Sequence, residues 1–171
     1  MMLRLLSALS CALLLANAAA AATPATFNVI DYGAVPDGQT KNTAAFAKAV
    51  AACAAAGGGT LVVPPGKYLT GSIQLESNLT LQLDAGAELL YSGDPADSPI
   101  VAARWECTNV FTHAPLIYAD GKQNIAITGR GILNGQGWNW WWRSGRGQPP
   151  AGVDPAKARD AWRSLYNRIE A

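Results

Sequence analysis

The sequence predicts an all-β protein built as a parallel β-helix, in which short strands coil around one continuous core. Between residues 60 and 91, apolar runs of about four residues follow one another with no helical pattern between them. Corner residues separate the runs, at Gly71, at Ser77-Asn78 and at Asp84. The stretch Asn78–Leu83 shares its polar–apolar alternation with Asn124–Gly129, which indicates stacked rungs. An antiparallel sandwich is the alternative, but it normally has longer strands and hairpin signals.

Composition narrows the class of protein. The 171 residues suit one domain, and half of them are hydrophobic, so the chain is neither disordered nor fibrous. The formal net charge is only +1. We therefore expect no bulk attraction to nucleic acid.

Residues 1–22 are predicted to be a secretory signal peptide. Arg4 supplies the positive charge, Leu5–Leu15 form an apolar segment too short to span a membrane, and Ala16-Asn17-Ala18 offers small residues for cleavage. We expect the mature chain to begin between Ala19 and Thr23, to be secreted or periplasmic, and to leave the membrane after cleavage. An uncleaved anchor and a lipoprotein attached through Cys11 are weaker alternatives.

The first elements of the mature chain are a strand, a turn and a helix. Phe27, Val29 and Asp31 are expected on one side of the strand, and Pro36-Asp37-Gly38 forms the turn. The helix is predicted to start with Asn42 or Thr43 as its N-cap, to run to about Ala56 and to stop at three glycines. Placed before the first rung, it would cover the open end of the β-helix. Its apolar face carries Phe46, Ala49, Val50 and Cys53.

The stretch from Asn124 to Trp138 is predicted to form one rung. Ile125 and Ile127 point into the core, and Ala126 and Thr128 point outward. A glycine corner at Gly129 and Gly131 leads to a second short strand, and Asn134-Gly135 ends it as a turn with positive φ. The earlier strands are predicted at Thr60–Val63, Tyr68–Thr70, Ser72–Leu75, Leu79–Leu83 and Glu88–Tyr91.

The tail is predicted to be a loop followed by an amphipathic helix, over residues 143–171. Asp154 is the expected N-cap, and Pro155 takes the first helical position. The cap and first rungs then occupy residues 23–142, and we expect the β-helix of the whole protein to continue beyond this chain. The apolar face of the tail helix carries Trp162, Leu165, Tyr166 and Ile169.

Two cysteines remain in the mature chain, Cys53 and Cys107. Export would allow a disulfide between them. Two separate buried thiols are the other possibility, because Cys53 lies on the apolar face of the predicted helix.

Two motifs carry a resemblance to a known family. The first is the cassette DYGAVPDGQTKNT beginning at Asp31, and the second is NIAITGRGILNGQG beginning at Asn124, followed by Trp138, Trp140, Trp141 and Trp142. Together they resemble the N-terminal part of the pectin-degrading polygalacturonase family of glycoside hydrolases. The resemblance implies a right-handed parallel β-helix of the pectin-lyase type, export, and action on anionic galacturonan of plant cell walls. It implies no cofactor, and a monomer when the protein is complete.

Catalysis by an inverting glycosidase needs an acid and a base, about 6.5–9.5 Å apart. The family carries them in Asn-Thr-Asp and Asp-Asp motifs, with Gly-His-Gly and Arg-Ile-Lys nearby, and none of these occurs here. We therefore predict no catalytic residue and no metal site in this chain. His113 is expected to be structural.

Substrate binding is predicted at Arg104, Trp105 and Glu106, which resemble a family segment. The guanidinium can bind a galacturonate carboxylate bidentately, and the indole can stack on a sugar ring. A surface ion pair beside a packing aromatic is the alternative. Most of the Trp138–Trp142 cluster is expected to pack on the protein rather than to hold sugar.

Two other functions fit the same fold. A polysaccharide lyase would need acidic Ca²⁺ ligands and a basic proton abstractor. A non-catalytic carbohydrate-binding β-helix would need neither.

Overall fold

The computed structural model describes residues 25–105, 107–137, 154 and 156, and they form a parallel β-helix. Three parallel sheets make its walls. Sheet A contains β1 (Thr26–Asn28), β3 (Gly59–Val63), β6 (Leu79–Leu83) and β11 (Ala126–Gly129), in that order. Sheet B contains β2 (Asp37–Lys41), β4 (Gly66–Thr70), β7 (Ala87–Tyr91) and β12 (Ile132–Asn134). Sheet C pairs β5 (Ile73–Gln74) with β10 (Ile117–Tyr118).

The core is made of apolar columns, because parallel strands in register place like residues above one another. In sheet A, Phe27 pairs with Leu61, Leu61 with Leu81, and Leu81 with Ile127. Leu61 and Leu81 are fully buried, whereas Ile127 is 48% exposed because it belongs to the last described rung. The predicted inward position of Ile127 is thus confirmed by its register, although nothing described covers it.

The predicted repeat is also confirmed. The strand β11 pairs with β6 from Ala126 on Thr80 to Gly129 on Leu83. At the corner before these strands, the Asn124 side chain donates to Asn78 Oδ1 at 2.9 Å across 46 residues of sequence. Both asparagines have positive φ, 57° and 62°, so each supplies the left-handed residue that its corner needs.

A glycine is required at the next corner. Gly129 has a φ of 101°, and a Cβ there would overlap the carbonyl oxygen of Leu83. The turn after β12 differs from the expectation. Its positive φ is at Gln136, whose N–H donates to Asn134 Oδ1 at 3.0 Å, so Asn134 works through its side chain rather than through its φ.

The helix α1 (Thr43–Ala55) covers the first rung, as predicted. Its buried residues are Ala45, Phe46, Ala49, Val50 and Cys53, and Gly57, Gly58 and Gly59 follow it with positive φ. Asn42 holds the N-cap position but makes no capping hydrogen bond. Its buried amide instead contacts Val35 N at 2.7 Å and three carbonyl oxygens, those of Val35, Thr40 and Leu69. The predicted N-cap position is thus confirmed, but the predicted capping hydrogen bond is wrong, because contacts with three chain segments satisfy more buried groups than one helical N–H would.

The first strand is shorter than predicted. After β1 the chain turns into a 3₁₀ helix, Val29–Tyr32, so Val29 and Asp31 are not strand residues. Asn28 caps this helix by accepting from Ile30 N, and Gly33 ends it in the left-handed conformation. Of the residues Pro36-Asp37-Gly38, predicted as a turn, Asp37 and Gly38 are the first two residues of β2.

An antiparallel hairpin, absent from the sequence prediction, interrupts the third rung. It consists of β8 (Ile100–Trp105) and β9 (Thr108–His113). A short 3₁₀ helix, Pro95–Asp97, precedes it. Cys107, with a φ of 69°, lies between the two strands and is exposed, whereas Cys53 lies on the buried face of α1, and both thiols are free.

Several predictions fall outside the described residues. They are the leader, the Trp138–Trp142 cluster and nearly all of the tail helix. At Asp154, the carboxylate accepts from Ala156 N at 2.9 Å, which is the predicted capping contact. In the described part of the chain, no helix has both the length and the hydropathy to cross a bilayer.

Candidate functional site

A cleft of about 280 Å³ lies between α1 and the strands of sheet C. The helix supplies an apolar wall, because alanines and a valine lie on the side that faces β5. The sheet supplies polar groups, since Ile73 points into the core and the next residue, Gln74, is exposed. The lining residues are Thr43, Ala47, Val50, Ala51, Ser72, Ile73, Gln74, Glu76 and Tyr118.

Several polar groups of the cleft already have hydrogen-bond or ion-pair partners. The Tyr118 hydroxyl donates to Gln74 Oε1 at 3.2 Å, and Thr43 Oγ1 accepts from Gly71 N at 2.8 Å. Glu76 forms an ion pair of 2.6 Å with Lys122 at the rim. The cleft therefore presents a small apolar surface with a polar edge and little net charge, which suits a neutral part of a ligand better than an anionic group.

A cluster of hydroxyl groups fixes the base of the hairpin beside sheet C. Ser72 Oγ and the Tyr91 hydroxyl both donate to the carbonyl oxygen of Ala114, at 3.1 and 3.0 Å, and both also contact Ser98 Oγ. His113 Nδ1 lies 3.0 Å from the Ser98 carbonyl oxygen. These contacts support the structural role predicted for His113, and they give the hairpin a rigid attachment.

Of the predicted substrate-binding residues, Arg104 and Trp105 lie on this hairpin and do not line the cleft. Arg104 is exposed near the end of β8 and pairs across the hairpin with Asn109. Trp105 is the last residue of β8 and pairs with Thr108, whereas Glu106 is outside the described residues. With the residues that the structure describes, Arg104 forms no ion pair, although Lys41, Lys67 and Lys122 all do. Its guanidinium is thus available to an anion.

Several described carboxylates have structural duties. Asp94 and Asp97 both hold Lys41 Nζ, at 3.0 and 2.8 Å. Hydrogen bonds from Ala96 N and from Lys41 lower the pKa of Asp94, and those from the Thr40 hydroxyl and nearby N–H groups lower the pKa of Asp37. A general acid needs the opposite shift. Asp37 and Asp94 are therefore suited to holding loops rather than to giving up protons during catalysis.

Sequence reasoning missed Phe111, Gln74 and Tyr118. Tyr118 lies in the short apolar run Leu116-Ile-Tyr, which is consistent with a short strand. Phe111 gave no signal of its own, because the sequence does not show which residue it faces across the hairpin.

Comparison with known proteins identifies relatives over most of the described region. Residues 26–129 match the family model described as "Rhamnogalacturonase A/epimerase, pectate lyase-like". The chain is 38% identical, over 68% of its length, to an exo-poly-alpha-D-galacturonosidase of Dickeya chrysanthemi, and 35% identical, over 80%, to a polygalacturonase of Malus domestica. An exopolygalacturonase of Thermotoga maritima has a similar structure, with a TM-score of 0.66 and 31% identity over 84% of this chain.

The chain is much shorter than these proteins. The matched region covers 20% and 28% of the two curated relatives, and 33% of the Thermotoga protein.

Proposed function

The chain belongs to the rhamnogalacturonase A/epimerase, pectate lyase-like family, and we propose that it is the N-terminal part of a glycoside hydrolase acting on galacturonan. The observation that carries the proposal is the 38% identity to a galacturonosidase over 125 residues. The β-helix supports it, because an exopolygalacturonase has a similar structure. The family resemblance carried by the motifs at Asp31 and Asn124 is confirmed.

Within that enzyme, the described residues hold the fold and bind substrate. Arg104 offers an exposed cation for the carboxylate of a galacturonate residue. The cleft beside sheet C offers an apolar wall and a polar edge for an uncharged part of the polymer. The acid and base of inverting hydrolysis are expected from the family motifs that this sequence lacks.

The relatives favour hydrolysis over the other two functions that the fold permits. These relatives are a galacturonosidase and a polygalacturonase, whereas a lyase would cleave by elimination and a binding module would not cleave. Galacturonan outside the cell would be reached by export. The leader over residues 1–22 supports a secreted or periplasmic location, and the mass of the exported protein tests it. Retention of Met1 would contradict cleavage.

Two experiments test the proposal. The first is to read the DNA after the Ala171 codon, where we expect an open frame encoding the Asn-Thr-Asp and Asp-Asp motifs. The second is to incubate the purified chain with polygalacturonate and measure binding, reducing ends and unsaturated ends. We expect binding without turnover. Turnover within tenfold of a full-length homologue would refute the assignment of catalysis to later motifs, and unsaturated products would identify a lyase.

A further inference from the structure

We propose that Phe111, with Arg104 and Asn109, forms a uronate-binding platform on the exposed face of the hairpin. This inference rests on the proposed function and names the part of the chain that would recognise the acidic sugar. We call these three residues the hairpin platform.

The register of the hairpin places the three residues on one face. Ala102 pairs with Phe111, and Arg104 pairs with Asn109. Residues directly opposite each other in an antiparallel pair share a face, and so do alternate residues of one strand. Arg104 and Phe111 are therefore diagonal neighbours, a separation that long and aromatic side chains can bridge.

Exposure distinguishes this face from the other. Ala102, Arg104, Asn109 and Phe111 are all exposed, whereas Val101, Ala103, Val110 and Thr112 on the opposite face are half-buried. Phe111 is 57% exposed, and the residue across from it has only a methyl group. A single exposed apolar side chain is ordinary on a protein surface. What makes Phe111 informative is its position beside a guanidinium that forms no ion pair within the described part of the chain.

The chemistry of the platform matches a galacturonate residue. The guanidinium can form two parallel hydrogen bonds with the carboxylate, which a neutral sugar lacks. The Phe111 ring can cover the C–H face of the sugar, and the Asn109 amide can both donate to and accept from hydroxyl groups. A carboxylate, an apolar ring face and hydroxyl groups occur together on a uronate and not on a simple inorganic anion.

The attachment of the hairpin favours binding, because a fixed platform loses little entropy when it orders a ligand. Ala114 N donates to the carbonyl oxygen of Pro99 at 2.8 Å and closes the base. The hydroxyl groups of Ser72 and Tyr91 hold the Ala114 carbonyl oxygen, and Ile73 N donates to the carbonyl oxygen of Leu116 at 2.7 Å. The platform is therefore tied to the first strand of sheet C.

The test measures binding of oligogalacturonate and of its methyl ester to the purified chain by NMR titration. Phe111→Ala and Phe111→Leu should each raise Kd about tenfold for both ligands, because the ring face is lost in either case. Phe111→Tyr should bind like the wild type. Arg104→Gln should weaken binding of the acid only, and should remove its dependence on NaCl concentration. Ile132→Ala is the matched control, since Ile132 is also 57% exposed but lies in β12, away from the hairpin.

The outcomes separate this proposal from the function it rests on. If the wild-type chain binds neither ligand, galacturonan binding by this region is contradicted and the platform is overturned with it. If the wild type binds and the Phe111 variants bind equally well, only the platform is overturned. Far-UV circular dichroism checks that each variant is folded. Should Phe111→Ala unfold the hairpin, Phe111→Leu, which keeps the apolar bulk, decides the outcome.

Discussion

Leu81 and Ile127 occupy the same column of the core, but only Leu81 has a described residue on both sides of it in that column. Leu81 is fully buried between Leu61 and Ile127, whereas Ile127 is 48% exposed on the last described rung. Replacing each by alanine therefore asks whether burial or residue type sets the stability of a rung.

The expected costs follow from the atoms removed. Each change deletes three carbons, worth roughly 0.8 kcal/mol apiece when fully buried. At Leu81 this gives about 2.4 kcal/mol, and the cavity left in a closed core raises the loss toward the range of about 3–5 kcal/mol. At Ile127 about half of the transfer energy applies, and no closed cavity forms, so the loss is about 1 kcal/mol. Thr80→Ala, at the neighbouring half-buried position, should cost less than Leu81→Ala.

Urea unfolding followed by tryptophan fluorescence measures the difference. With a slope of about 1–3 kcal/mol per M, Leu81→Ala should lower the midpoint by at least about 0.7 M more than Ile127→Ala. Equal losses at the two positions would show that Ile127 is covered, and would refute the reasoning. For the same reason, Ile127→Asp should be milder than Leu81→Asp, because the new carboxylate can reach water from the open side.

Three further predictions concern the buried amide of Asn42, the charged groups of Asp94 and Lys41, and the corner at Gly129. Asn42→Ala should lower the free energy of unfolding in urea by on the order of 2–4 kcal/mol, because it leaves several buried backbone groups without a partner. Asn28→Ala removes one exposed contact and should lower it by less than about 1 kcal/mol. Asp94 has a lowered pKa. Its contribution to the free energy of unfolding is therefore present above its ordinary pKa and is lost as the pH falls through the pKa of the folded state. Asp94→Asn should therefore flatten the fall in melting temperature below about pH 4, and an unchanged slope would contradict this. Lys41 has a raised pKa. Its contribution to the free energy of unfolding is therefore complete below its ordinary pKa and disappears only at higher, strongly alkaline pH. Gly129→Ala should give insoluble protein on expression, because a Cβ cannot fit against the strand below; a soluble, normally melting variant would show that the corner can rearrange.

The local sequence pattern was sufficient to predict those elements in which the apolar positions are also the buried ones. β6 appears at Leu79–Leu83, as predicted, because alternation decides both the strand and its inward face. The helix α1 ends where glycines interrupt a run of alanines. The sequence also contained signals for the 3₁₀ helix after β1, since Asn28 can cap its start and Gly33 can end it. The apolar alternation of Phe27 and Val29 instead favoured the prediction of a longer strand.

The hairpin could not be predicted in the same way. Its connection places Cys107 at a φ of 69°, a conformation that glycine or asparagine normally signals and cysteine does not. Ile100–Trp105 also lacks a polar–apolar alternation, because two consecutive alanines in its middle do not distinguish an inward from an outward position. Arg104 was proposed from the family resemblance, whereas the choice of Phe111 required the cross-strand register. The hydrogen bonds of Asn42 were not predicted, because the partners of its amide are up to 27 residues away.

The position of the hairpin explains how recognition can be added to this fold without disturbing it. The Asn78–Asn124 contact spans 46 residues, far more than three short strands and their corners need, and the surplus includes β8 and β9. The rungs on either side remain in register, from Ala126 on Thr80 in sheet A to Ile132 on Glu88 in sheet B. The chain leaves the third rung at Pro99 and returns to it at Ala114, and a backbone hydrogen bond joins these two residues. Residues on the exposed face of the hairpin can therefore change with little effect on the columns of the core. Specificity for a sugar can therefore reside in Arg104 and Phe111, whereas stability resides in Leu61, Leu81 and their neighbours.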